Sequence, residues 1–222
     1  MNIHPFFLTF FEILVVSIVF ICPSFSSSAY PEITMKFILI SCLYTVCSSI
    51  VLIMLYTKKL PRHYLKKQCT VSFQMILSGI KILFLIILLS LLFSRIWTGK
   101  ALFVFPSKSS WSTYTFFFVW IFLSCLFEEI LYRFYLPDAL TSLLSFISVK
   151  LQKNLTPLFF FAVPSVIFGL AHLYNGLPGI LFSSLSAVLF LILKKKYNNI
   201  LLNTAVHFSY NVFSYIIMQK YI

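Results

Sequence analysis

Charge is scarce in this chain of 222 residues: Asp, Glu, Lys and Arg make up 10% of it, while 60% of the residues are apolar. That scarcity excludes a soluble globular domain, which could not hide so much apolar surface. Paired cysteines are missing too. Cys22, Cys42, Cys47, Cys69 and Cys125 show no CxxC or metal-ligand spacing, so they read as small buried hydrophobes. There is no HExxH, the zinc-hydrolase pattern, so no cofactor is expected and zinc is the disfavoured alternative. Repeats and low-complexity stretches are absent. The first residues lack a basic n-region and an A-x-A site, so the opening apolar stretch is expected to be a retained helix.

What charge exists is one-sided, 17 Lys and Arg against 5 Asp and Glu, a net +12. The basic residues make no stripe of the kind that binds nucleic acid. They collect in short loops between apolar runs, where they orient membrane proteins, so the expected partner is a lipid bilayer and not nucleic acid. Seven apolar segments, near 5–25, 36–56, 71–93, 114–136, 157–173, 176–193 and 199–218, match the roughly 20 residues a spanning helix needs. The expected fold is all-α: a polytopic transmembrane bundle of seven helices, forming one integral membrane domain over 1–222. Residues 137–154 have apolar positions at helical spacing beside Asp138, Lys150 and Lys153. They read as an amphipathic helix at the interface, or as a short eighth span.

Eleven basic residues fall on one side of this arrangement: Lys58, Lys59, Arg62, Lys66 and Lys67, then Arg133, Lys150 and Lys153, then Lys194, Lys195 and Lys196. Arg95, Lys100, Lys108 and Lys220 fall on the other. The positive-inside rule then puts the N-terminus in the cytoplasm of a cell membrane. Trp97 and Trp111 suit an interfacial belt.

Ionisable groups within spans are costly, about 2.5–3.5 kcal/mol each on insertion scales, and persist when paired or when they line a wet cavity. Glu12 and Lys81 are single charges on apolar helices, expected to pair with each other or with backbone. The fourth segment is denser. Glu129 and Arg133 are four apart and share a face. Glu128 lies about 100° around the helix from Glu129 and has no cation at i±3 or i±4, so it must find a partner elsewhere or touch water. A carboxylate held there suits a general base for water. His172 and His207 supply imidazoles, and His207 and Asn211, four apart, can donate side by side to one oxyanion. Each histidine alone would more often be an interhelical hydrogen bond. The whole set argues for peptide hydrolysis.

Glu128-Glu129-Ile130-Leu131-Tyr132-Arg133 reads EExxxR, Phe168 to His172 reads FxxxH, and His207 to Asn211 reads HxxxN. In this order on membrane helices they resemble the CPBP family, also called Abi or CAAX-protease-like, over residues 114–218. The helices of 1–95 add nothing to the likeness. The resemblance implies an intramembrane glutamic-type endopeptidase. In it Glu128 and His172 activate water, His207 and Asn211 form the oxyanion hole, Glu129 and Arg133 support the site, and Phe168 packs beside it. Bacterial members are often tied to bacteriocin self-immunity or peptide maturation, and 14 Lys against 3 Arg resembles a low-GC Gram-positive bacterium. The expected partners are a peptide or membrane-protein substrate, including a toxin or bacteriocin precursor. The alternative is a non-catalytic immunity or regulatory protein that binds a toxin or membrane partner.

One strain remains. Glu128 falls about 22 Å along the fourth helix, while His172 ends the fifth, so simple counting separates them. Either the fifth helix starts in the cytoplasmic interface, or it is re-entrant and never crosses, as Pro164, Gly169 and the Asn175–Gly179 run would allow.

Overall fold

The computed structural model describes residues 3–21, 35–57, 70–96, 111–146 and 148–218. Seven helical segments run through them. Helix α1 is Ile3–Val16 with a π-helical end, Ser17–Ile21; α2 is Met35–Thr57; α3 is Phe73–Ile96. Helix α4 begins at Trp111–Glu128, widens to a π-helix over Glu129–Tyr135, and continues through Leu136–Leu143 into a 3₁₀ turn, Leu144–Phe146. Helix α5 covers Val149–Pro157, a π-helical Leu158–Ala162 and Val163–Leu170. Helix α6 is Gly176–Tyr197 and α7 is Ile200–Met218. The basic residues 58–67 and Trp97 lie outside the described residues, as does the side chain of Trp111.

Among the described residues the fold is all-helical, with the long apolar helices of a multi-pass membrane protein. Among the described residues, four helical runs are long and apolar enough to cross a bilayer: Phe73–Ser94, Thr115–Phe146, Val149–Leu170 and Leu173–Tyr197. At 1.5 Å per residue the 22-residue run from Val149 is about 33 Å long, enough for a hydrocarbon core of about 30 Å. Large apolar side chains point outward along whole faces, for example Leu77, Ile80, Phe84, Leu88 and Leu91 on α3. Water would penalise such faces, whereas lipid tails solvate them.

Three boundaries depart from the sequence reading. Residues 137–154 are neither a separate interfacial helix nor an eighth span: 137–146 complete α4, and α5 already starts at Val149. The fifth helix therefore begins eight residues before the expected 157. Lys194, Lys195 and Lys196 are not loop residues; they form the last turn of α6, where cations oppose the negative end of the helix dipole. The turn that follows is only two residues long. Asn198 takes the left-handed conformation (φ 50°) and Asn199 caps α7, its Oδ1 accepting from Leu202 N at 2.8 Å.

The π-helical stretches have a common sequence cause. Tyr135 and Ala162, where two of them end, each stand two residues before a proline, Pro137 and Pro164. A proline cannot donate to the carbonyl four residues back, and its ring crowds that carbonyl. The preceding turn widens to compensate, as where Val163 N donates to Leu158 O.

The chain divides into two compact units. The first holds Met1–Tyr30 and Leu131–Ile192. In it α1 packs on Leu136–Leu143, with Phe6 edge-on to Phe146 at 5.5 Å. Glu12 accepts from Tyr135 Oη at 2.9 Å, a side-chain partner where backbone or Lys81 was expected. Gly176 makes the turn into α6 at φ 68°, a conformation that L side chains resist. The second unit holds Pro31–Ile130 and Leu193–Ile222. There α2 packs on α4 around Phe117, Ile121 and Cys125, and α3 packs on α7, where Gly79 lets Leu202 and Val206 approach. Tyr210 Oη donates to Ser90 Oγ at 3.1 Å across that second seam.

Close approach of α5 and α6 in the first unit depends on Gly169. A Cβ there would collide with the Ser184 hydroxyl and lie 2.7 Å from the Ile180 carbonyl oxygen. Gly169→Ala is expected to cost about 1–3 kcal/mol through overpacking. Thermal unfolding in detergent micelles checks it; an unchanged midpoint would show that the helices part without penalty.

Candidate active site

The second unit gathers most of the polar residues singled out above. Glu129 opens the π-stretch of α4 and is fully buried; Glu128, the residue before it, keeps 29% of its side chain exposed. That difference separates their chemistry. A sealed carboxylate must be satisfied by the protein, whereas Glu128 is partly open to its surroundings. Glu129 Oε1 lies 2.9 Å from His207 Nδ1, and Glu129 Oε2 accepts from Asn203 Nδ2 at 3.1 Å. A carboxylate oxygen accepts, so Nδ1 carries the proton and Nε2 faces the other way. On that side Glu128 Oε2 stands 3.8 Å from Nε2. The imidazole thus sits between two carboxylates, one firmly bonded and one a water's adjustment away.

Helix α7 presents Asn203, His207 and Asn211 at i, i+4 and i+8, on one face. Asn211 Nδ2 donates to Cys125 Sγ at 3.2 Å, and Cys125 is one turn before Glu128 on α4. Phe122 meets Phe208 edge-on at 5.7 Å beside the polar face. Asn203, fully buried, is the residue sequence reasoning missed. Its signal was present: it stands four before His207, the same spacing that singled out Asn211. Among the described residues, no group of three or more His, Cys, Asp or Glu is placed to hold a metal ion.

The first unit holds Arg133, Phe168 and His172. The boundary between units falls inside the EExxxR motif, after Ile130. Arg133 is fully buried, and its guanidinium carbon lies 3.8 Å from the centroid of the Phe168 ring and 5.2 Å from that of Phe190. The aromatic faces attract the cation as it leaves water. Phe168 also meets the His172 ring at 4.5 Å, and Tyr132 from the side at 5.1 Å. The FxxxH motif is thus a packed unit. His172 Nδ1–H donates to Phe168 O at 2.9 Å, which sets the tautomer and leaves the lone pair on Nε2, as a proton acceptor requires.

The fourth and seventh helices thus share a buried carboxylate–imidazole–amide cluster. Residues 110–213 match a family model described as Rce1-like, the type II CAAX prenyl endopeptidases. Over that segment, a little under half of its length, the chain is similar to this family of membrane proteases. No curated protein and no solved structure matches the chain.

The stacking around Arg133 needs a flat cation. Arg133→Lys keeps the charge but loses the planar group, and is expected to cost about 1–2 kcal/mol. Chemical denaturation in micelles measures it, and full retention of stability would mean that the ring contacts contribute nothing.

Proposed function

We propose that the protein is an intramembrane endopeptidase that hydrolyses a peptide bond with water activated by Glu128 and His172, and with His207 and Asn211 as the oxyanion hole. The observation that carries this reading is the Glu128–His207–Glu129 arrangement, inside the segment that matches the protease family. Glu128 takes a proton from the water, and the hydroxide attacks the carbonyl carbon. The proton is shared onward to His207 Nε2, where Glu129 on the opposite nitrogen stabilises the cation. The new Nε2–H and the Asn211 amide donate to the tetrahedral oxyanion. Collapse of that intermediate returns the proton to the leaving amine. His172 enters through the FxxxH motif, its Nε2 an acceptor by the tautomer that Phe168 O sets.

The whole of 1–222 acts in this reading as one integral membrane domain with its N-terminus in the cytoplasm. The substrate class is a membrane-associated peptide. The Lys-rich composition favours bacteriocin or toxin self-immunity, or peptide maturation, over cleavage of prenylated CAAX proteins.

Glu128→Gln keeps the shape and removes the base. Cleavage of membrane-presented peptides by the reconstituted protein is expected to fall about 10²–10⁴-fold, the range of general-base catalysis. Full biological activity of that variant at normal expression would overturn the protease reading in favour of a non-catalytic partner that binds a toxin.

A further inference from the structure

Asn203 has no role in the three motifs, yet it is as buried as the glutamate it touches. It is fully enclosed, on α7, one turn before His207. Its Nδ2 donates to Glu129 Oε2 at 3.1 Å, while the other oxygen of the same carboxylate receives His207 Nδ1 at 2.9 Å. A glutamate side chain has three rotatable bonds, and one hydrogen bond leaves the carboxylate plane free to swing. Two donors from one helix, a turn apart, fix both oxygens and hence the plane. The plane decides which nitrogen of His207 holds the proton and where Nε2 points.

We propose that Asn203 is a positioning residue for the hydrolytic site: it locks the Glu129 carboxylate so that His207 presents Nε2 toward Glu128. The catalytic part of this statement rests on the protease reading above; the tautomer part does not. Glu128 is 3.8 Å from Nε2, so a modest rotation of the ring would break the alignment. Partners of this kind, one bond removed from the reacting groups, typically change activity 10–100-fold when lost.

The test exploits a swap of near-equal shape. Asn203→Asp places a second acid against Glu129 and removes the donor. Combining it with Glu129→Gln reverses the hydrogen bond: the new amide donates to the new carboxylate, and its carbonyl oxygen still accepts from His207 Nδ1–H. Nitrogen-15 NMR of histidine-labelled, reconstituted protein reads the tautomer directly. Wild type and the double variant are expected to show the His207 proton on Nδ1; Asn203→Asp alone is expected to lose that preference. Kinetically, Asn203→Leu should lower kcat by about 10–100-fold with KM little changed. A His207 tautomer indifferent to residue 203, or an Asn203→Leu protein with unchanged kcat, would overturn the proposal. A tautomer that responds as expected in a protein that cleaves no peptide would leave Asn203 as the lock on Glu129 and His207, and refute the protease reading alone.

Discussion

A carboxylate with no exposure to solvent, on a helix that crosses lipid, must be satisfied by the protein around it. Glu129 is that group, and the local structure of the second unit follows from it. Its two oxygens recruit Asn203 and His207 from α7, which ties α4 to α7 at one depth. The bonded imidazole then has a fixed tautomer and a fixed outward nitrogen. Glu128, next along the chain but rotated away, stays partly exposed. Two adjacent glutamates thereby sit in different environments, because one is sealed by hydrogen bonds and the other is partly exposed.

Lipid-facing helices contribute little specificity by themselves, since hydrocarbon solvates one apolar side chain as well as another. Position is set instead by a few stiff or small residues. Pro137 and Pro164 follow the widened turns of α4 and α5, and Gly169 admits the Ile180 carbonyl at a distance that no side chain would tolerate. The widened turn on α4 coincides with the EExxxR motif. Local unwinding of that kind often accompanies functional sites, because it shifts side chains out of ordinary helical register. Arg133, at the far end of the same motif, is kept among the rings of Phe168 and Phe190, so the FxxxH segment and the arginine are packed as one body.

Much of this was legible beforehand. Seven helices followed from the apolar runs, because a bilayer demands length and little else. The boundaries were harder. Lys150 and Lys153 looked like the polar face of an interfacial helix, but they lie in the first turns of α5, where long side chains can reach the headgroups. Lys194–Lys196 looked like a loop because a charge cluster normally ends a span; the helix dipole retains them. Within the site, i,i+4 spacing found His207 and Asn211 but passed over Asn203. A buried amide among apolar neighbours resembles ordinary interhelical glue until its partner is known. Nor could spacing show that Asn211 meets Cys125, or that Glu12 bonds Tyr135, since those contacts join segments 86 and 123 residues apart.

The central claim is that a lipid-embedded glutamate, helped by imidazole, delivers water to a peptide carbonyl with no acyl-enzyme on the way. A single-turnover reaction of the purified, reconstituted protein in ¹⁸O-water, offered prenylated and unprenylated membrane peptides, tests this most directly. The account predicts one ¹⁸O in the new carboxylate of the cleaved peptide and an unmodified protein mass throughout. A covalent acyl adduct on the chain, or no cleavage of any peptide by a folded preparation, would contradict it.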